Sequence, residues 1–372
     1  MRALLKAVDY TSADVLAAEQ SRLFRRLWIV AGFRATVDAP DAFLSHQIGD
    51  IPILIQNTRA GPRAFVNQCA HRQGAIQLAD HGQRRMACPY HGWVYGDDGR
   101  VKSVPGNEAN YGFCASTIQS LGLKPVHLRQ VGGILFVNLA DDPLPFEEQF
   151  TSTFLEQLAE ISSKAGDDAI FAKFESRYNW KLNFENVVDW NHVPFVHAGS
   201  FAPLMPGVQR SVLDERHASP PPQPDEEIPD DLRELSYVVR APFEFQEWPW
   251  HDSVERCGPT KEYTNVFIYP NVNYVVMAGV IHLIQQFCPV EPACTRVRLT
   301  MALGRRTRKL PAAAAILWSQ FKAEKRVINE DVAVLEGLQR GLNDGSVRAF
   351  HGAYEHRLRR IAKTYRRLMV PR

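Results

Sequence analysis

A chain of 372 residues, 45% of them hydrophobic, is long enough to bury more than one core, and two domains are expected. Its formal net charge of +2 is close to balance, which argues against a nucleic-acid partner. Six cysteines in a chain of this length do not make a disulfide framework, so reduced thiols and a cytoplasmic setting are expected. The first stretch, MRALLKAVDYTSADVL, has one short apolar run followed by acids and is too weak for a signal peptide. No apolar run approaches the length of a membrane span, so no membrane association is expected.

Residues 1–42 are expected to form an N-terminal helical segment packed on the later domain, followed by a domain over 43–143 and a second over 144–372. In the first of these, IPILIQ, RAFVNQ, GWVYGDDGRV and GGILFVNL are strand-like runs. They are broken by turn signals at Ala60-Gly61-Pro62 and Asp97-Asp98-Gly99. A small all-β domain follows from that pattern. Its loops carry Cys69-x-His71, then sixteen residues, then Cys88-x-x-His91.

Three readings compete for Cys69, His71, Cys88 and His91: scattered core residues, a structural zinc site, or an iron–sulfur cluster. Zinc motifs usually pair Cys with Cys and His with His. Here each half supplies one of each, which zinc does not require. A mixed-ligand [2Fe-2S] cluster does, because two thiolates hold one iron and two imidazoles hold the other.

Beyond Leu144 the texture changes. FEEQFTSTFLEQLAEI and the run from Pro311 to Leu342 are helical in period, while residues 262–290 and TRVRLTMAL look like strands of an antiparallel sheet. Ser219–Asp231, SPPPQPDEEIPDD, has the composition of an irregular loop. Between these lies NWKLNFENVVDWNHVPFVH, from Asn179 to His197. Asp189 and His192 are three apart and would share a helix face, and Pro194 should end or distort that helix so that His197 swings toward His192. Two converging imidazoles leave an anionic ligand to find. In the late helix Leu317, Phe321, Ile328, Leu335 and Leu338 form one apolar stripe, with Asp331 in its middle and Glu330 pointing away. Glu324 lies on the same stripe and rivals Asp331.

CAHRQGA and CPYHGWVYGDDG resemble the Rieske motif of ring-hydroxylating oxygenases, with Gln73 where many relatives have Gly. The second motif resembles that family as well: Asn186, Asp189, His192, His197, Asp331 and Glu336 match its pattern in order. The resemblance implies an α+β chain, with a Rieske [2Fe-2S] domain followed by a helix-grip (START-like) catalytic domain. Cys69, His71, Cys88 and His91 would be the cluster ligands, and the mononuclear iron(II) would sit on His192, His197 and Asp331 rather than Glu324. Asn186 would lie near that iron. Asp189 would bridge His192 to a cluster histidine, most readily His91, of a neighbouring subunit in a homotrimer.

The activity implied is mono- or dioxygenation. O2 and electrons from NAD(P)H, through a reductase with or without a ferredoxin, would hydroxylate or oxidatively demethylate a small aromatic or amine-type substrate. An electron-transfer protein without oxygenase chemistry, or a zinc-stabilised START-like binding protein, are the alternatives. Val187, Val188, Tyr263, Asn265, Phe267, Tyr274 and Val276 are candidates for the substrate pocket. Trp248 and Trp250 would roof a pocket or plug a core edge, and His282 is expected as a hydrogen-bonded strand residue. The C-terminal helix would pack Leu358, Ile361, Tyr365 and Leu368 inward with its arginines outward.

Overall fold

The computed structural model describes residues 2–207, 227–345, 349–352 and 355–370, so the Pro-rich stretch Ser219–Asp231 lies outside them as far as residue 226. Contacts divide the chain into two units, Arg25–Pro143 and Met1–Phe24 with Leu144–Arg372.

The smaller unit is built on β1 (Ile29–Phe33), β2 (Ala42–Ile48), β3 (Ile51–Thr58), β4 (Gly61–Val66), β5 (His81–Gln83), β6 (Val94–Tyr95), β7 (Val101–Ser103), β8 (Pro125–Val131) and β9 (Ile134–Asn138). Seven of these form one antiparallel sheet in the order β1-β9-β8-β4-β3-β2-β5, and β6 with β7 makes a separate hairpin. Residues 25–42, expected in the N-terminal helical segment, belong here instead. Ile29–Phe33 is a wholly buried strand whose ladder partner is β9, so a distant stretch decides its place.

The turn at Ala60-Gly61 is the β3–β4 hairpin, closed by Thr58 Oγ1 donating to Gly61 O at 2.7 Å. The turn at Asp98-Gly99 joins β6 to β7. Gly99 has φ +79°, and a Cβ there would stand 2.4 Å from the Phe65 ring, so only glycine fits. Phe65, Leu54, Trp93 and Tyr95 pack with Cys69 and Cys88 in the core beneath that hairpin.

The larger unit centres on a six-stranded antiparallel sheet. Its strands are β10 (Ala165–Ser176), β11 (Tyr237–Pro242), β12 (Glu262–Ile268), β13 (Val272–Met277), β14 (Ile281–Glu291) and β15 (Cys294–Gly304), in the order β10-β15-β14-β13-β12-β11. The two edge strands were not expected. β10 is half-exposed and carries charges, as edge strands do, and its hydrophobic signal is correspondingly weak. Of the helical stretch before the sheet, Phe146–Gln149 and Ser152–Ser162 are separate helices. The break is at Thr151, whose hydroxyl accepts from Phe154 N–H and caps the second.

The long helix Ala313–Asp344 packs against β10 and β15 and ends at Gly345, φ +67°. Leu317, Phe321, Ile328 and Leu335 are buried along it, but Leu338 is 51% exposed and Gln339 takes the buried place one residue on. A straight helix turns 3.6 residues per turn, so a stripe drifts around its surface and ends one position later. In the C-terminal helix His356–Leu368, Ile361 and Tyr365 are buried as expected, yet Arg359 is buried with them.

Residues 2–24 are anchored to this unit by a buried acid. Glu19 accepts hydrogen bonds from Trp180 Nε1 (2.8 Å), Lys181 Nζ (2.5 Å) and the Tyr365 hydroxyl (2.5 Å). The Glu19–Lys181 pair is almost wholly desolvated, so removing either partner would leave an uncompensated charge.

Candidate metal centres

In the smaller unit two loops face each other. Cys69 N–H donates to Gly74 O and Gln73 N–H to Cys69 O, both at 2.8 Å. Cys88 N–H donates to Trp93 O at 2.8 Å, and Gly92 N–H to Cys88 O at 3.0 Å. Each loop therefore folds back on its own cysteine. Gln73 adopts φ +57°, a left-handed conformation that a glycine would take without cost.

The two thiols are buried and free, whereas both imidazoles are half-buried, their rings 4.6 Å apart. His71 stacks on Trp93 at 4.9 Å, and Tyr90 lies against His91 at 3.9 Å. Burial pushes the Cys69 thiol up, against the Tyr95 hydroxyl 2.9 Å from its Sγ, so without a cation the site favours neutral sulfur. His91 Nδ1 is buried without a hydrogen-bond partner among the described residues. Two buried thiols beside two imidazoles, one with an orphaned nitrogen, fit a mixed-ligand iron–sulfur cluster.

The second group belongs to the larger unit. The helix Trp180–Val188 starts at Asn179, whose side chain accepts from Lys181 N–H and whose backbone N–H donates to Gln339 Oε1 at 2.8 Å. Gln339 is on the long helix, so the two helices are pinned together there. One turn earlier, Glu336 accepts from Arg177 N–H at 3.1 Å. Glu336 is therefore occupied at that junction.

The helix ends at Val188 with Asp189 as its C-cap, five residues before Pro194. Pro194 instead occupies the second position of a new short helix, Val193–Val196, where a missing N–H costs nothing. His192 and His197 flank that helix, and their rings meet edge to face at 5.2 Å.

Asp331 on the long helix completes the group. Its Oδ1 is 3.0 Å from His197 Nε2 and 3.6 Å from His192 Nε2. One donor atom from each of the three lies within 4.8 Å of the others. His192 Nε2 and His197 Nε2 both face the Asp331 carboxylate, so the three side chains turn their donor atoms toward one point. Two imidazoles and one carboxylate beside a cavity fit iron(II) by donor chemistry.

The far nitrogen of His197 is held by Glu330, at 2.8 Å from Nδ1 to Oε2. Ser200 Oγ donates to the same oxygen, and Arg326 lies 3.5 Å from the other. Burial pushes Glu330 up, but the hydrogen bonds from Ser200 and His197 outweigh it and hold the carboxyl below its usual range. Burial also pulls His197 down, and Asp331 and Glu330 together raise it past its ordinary value. Glu330 was expected to point away from the stripe. The neighbouring segment 197–200 wraps round the helix to reach it, and no helical period foresees that.

Asp189 differs from expectation too. Its Oδ2 stands 3.9 Å from His192 Nδ1, beyond hydrogen-bond reach, because the backbone has left the helix and Oδ1 accepts from Asn191 N–H at 2.8 Å.

Asn186, Val187, Tyr263, Asn265 and Glu324 line the cavity beside the three donors, with about 540 Å³ of space unfilled by atoms, part of it open to solvent. Val188, Phe267, Tyr274 and Val276 do not line it. Val188 is rotated about the helix into the core, and Phe267 lies farther along its strand against Tyr237. Tyr274 and Val276 are on the opposite face of β13 from Asn273, which does line it. That opposite face also holds His282, its Nδ1 2.6 Å from the Tyr274 hydroxyl, and burial pulls its pKa down to about 3. Neither tryptophan of EWPWHD lines the cavity, and Trp248 is 48% exposed. Sequence reasoning missed Trp190, Phe201, Asn273 and Gln285, of which Trp190 and Phe201 flank the histidine motif.

Glu324 donates no ligand atom to the three-residue group. It accepts from Gln285 Nε2 at 2.8 Å, and burial, then the charge of Asp331, pushes it up to about 7.

Among the described residues no helix is long and apolar enough to cross a membrane. Residues 167–370 match the catalytic domain of the ring hydroxylating alpha subunit, and residues 27–122 match the Rieske [2Fe-2S] domain. The glycine betaine monooxygenase oxygenase subunit of Chromohalobacter salexigens is 29% identical over 272 residues, 73% of this chain and 57% of that protein. The anthranilate 1,2-dioxygenase large subunit of Acinetobacter baylyi is 29% identical over 198 residues, 50% of this chain and 41% of that protein. The chain thus spans about half the length of the curated relatives it matches. The solved structure of a quaternary ammonium Rieske monooxygenase superposes with a TM-score of 0.72 at 18% identity, covering 98% of this chain and 94% of that one.

Proposed function

The chain belongs to the ring-hydroxylating alpha-subunit family, with a Rieske [2Fe-2S] domain ahead of its catalytic domain, and from that premise we propose that it is the oxygenase component of a multicomponent Rieske non-haem iron system. Cys69, Cys88, His71 and His91 would hold the cluster, and His192, His197 and Asp331 the mononuclear iron(II). When bound, these groups supply stored electrons and the activation of O2 for attack on a C–H bond or an aromatic ring.

The chain's own residues do the positioning. Glu330 accepts the Nδ1–H of His197 in a hydrogen bond, which leaves the lone pair of Nε2, on the side of Asp331, free to ligate the metal. Asp331 brings the negative charge, and Asn186 and Val187 form part of the adjoining wall. Asp189, 3.9 Å from His192, would link it to His91 of the partner subunit in a homotrimer. Electrons would come from an NAD(P)H-dependent reductase, directly or through a ferredoxin, in the cytoplasm. The substrate would be a small aromatic or amine-type molecule, hydroxylated or oxidatively demethylated.

The observation that carries this reading is the convergence of two imidazoles and a carboxylate on one cavity, in a chain whose other unit gathers two thiols and two imidazoles. Purified protein should be red-brown, with about three irons per chain, and should consume O2 with reductase, NADH and a substrate. Only the cluster irons and no turnover would indicate an electron-transfer protein. A colourless zinc protein would indicate a START-like binder.

A further inference from the structure

The polar floor of the cavity has a direction set by its one acid outside the proposed ligand set. Glu324 Oε1 receives the Nε2–H of Gln285 at 2.8 Å, and above about pH 7 the ionised acid can only accept. Gln285 therefore turns its carbonyl oxygen to the next strand, where it accepts from Asn273 Nδ2 at 2.9 Å. Gln285 and Asn273 are ladder partners on β14 and β13, which keeps this chain of bonds on one face of the sheet. Both amides thus each spend an N–H on the chain, and Asn273 Oδ1 is left over. That oxygen is buried without a partner among the described residues, and so is Asn265 Oδ1 on β12. Both residues line the cavity, and both are at least 95% buried. Leaving such acceptors unmet is costly, so an occupant that brings a donor to this wall is favoured over one that brings none.

Charge points the same way. Outside Asp331, which the proposed iron would engage, the described lining contains one acid, Glu324, and no lysine or arginine. Trp190, Phe201 and Tyr263 supply aromatic surface, with Trp190 and Phe201 set edge-on to Tyr263 at 6.3 and 5.1 Å. Aromatic faces attract a cation and do nothing for an anion.

We propose that the cavity selects an organic ammonium that still carries an N–H, with its charge against Glu324 and an N–H on the Asn273 carbonyl oxygen, and that it rejects a carboxylate. This rests on the cavity being the substrate site of the proposed oxygenase and narrows the substrate class. The relatives named for glycine betaine or quaternary ammonium carry substrate names without such an N–H, so this chain would differ from them.

Four near-isosteric probes separate the possibilities in equilibrium titrations of the iron-loaded protein, read by calorimetry and therefore independent of turnover: N,N-dimethylbenzylammonium, benzyltrimethylammonium, isobutylbenzene and phenylacetate. The tertiary ammonium should bind at least ~10-fold tighter than each of the others. Glu324→Gln, with its iron content unchanged, should remove most of that preference and leave isobutylbenzene binding as it was. Asn273→Leu should weaken the tertiary ammonium and spare the quaternary one. Equal binding of the quaternary ammonium, tighter binding of phenylacetate, or no saturable binding of any probe would overturn the inference. A wild-type protein that takes up no catalytic iron, or an iron-loaded one that binds the tertiary ammonium selectively but consumes no O2 with any substrate, would instead strike at the oxygenase reading.

Discussion

Glu330 Oε2 stands 2.8 Å from Nδ1 of His197, and the adjacent residue Asp331 reaches Nε2 of the same ring at 3.0 Å. Consecutive residues of one helix thus address both nitrogens of one imidazole. They can because consecutive side chains leave a helix about 100° apart and so reach the ring from two sides. One acid is placed to share a metal and the other to set the tautomer.

Glu330→Gln should keep the fold but weaken that orientation, because an amide can present either an acceptor or a donor to Nδ1. Iron affinity or turnover should fall ~10- to 100-fold, as when a ligand histidine loses its supporting carboxylate. Metal titration of the apoprotein measures it, and Ser200→Ala should show a smaller loss in the same direction.

Asp331→Ala should abolish the mononuclear iron and leave the cluster absorbance intact. The metal-free variant should be close in stability to metal-free wild type, because the substitution relieves a buried charge but also ends the 3.0 Å pairing of Asp331 with His197. Iron analysis with thermal unfolding of both apoproteins tests this. Retained iron would make Glu324 the better ligand candidate.

Asp189→Asn should leave both metal sites filled and cluster reduction by the reductase unchanged, while product formation nearly stops. The side chain stands 3.9 Å from His192 Nδ1, so the proposed bridge requires it to close on that ring in the assembly. Single-turnover measurements on the pre-reduced protein decide the matter. Wild-type product yield in this variant, or in an isolated monomer, would remove Asp189 from the bridging role.

Stability should fall as pH rises from about 4.5 to about 7 through Glu185. Burial raises its folded pKa to about 7, against the hydrogen bond from the Tyr10 hydroxyl at 2.7 Å and the charge of Lys181. Between those values the unfolded chain has lost the proton that the folded chain keeps, so deprotonation favours unfolding, and the cost is complete above pH 7. Glu185→Gln should therefore raise the melting temperature at pH 8 and change it little near pH 4.5.

By itself the sequence determined the family, the α+β class and the candidate ligands. Cys69-x-His71 and Cys88-x-x-His91 are local spacings, and a motif within one loop survives whatever the rest of the chain does. Periodicity along the long helix singled out two acids on the buried face, Asp331 and Glu324, and the resemblance to the family motif chose Asp331. The β-rich domain and the strands from residue 262 onward were legible from runs between turn residues.

Only the tertiary structure decided what meets across sequence. β13 is buried on both faces, so no polar alternation marks which side faces the cavity, and a shift of one residue exchanges Tyr274 and Val276 for Asn273. Residues 25–42 joined the smaller unit because β1 found its ladder more than a hundred residues away. Glu330 gained its partner from a segment 133 residues earlier, and Glu324 gained Gln285 from a strand 39 residues earlier. Periodicity records which way a side chain leaves its own element, and the partner waiting there is set by how that element packs against the others.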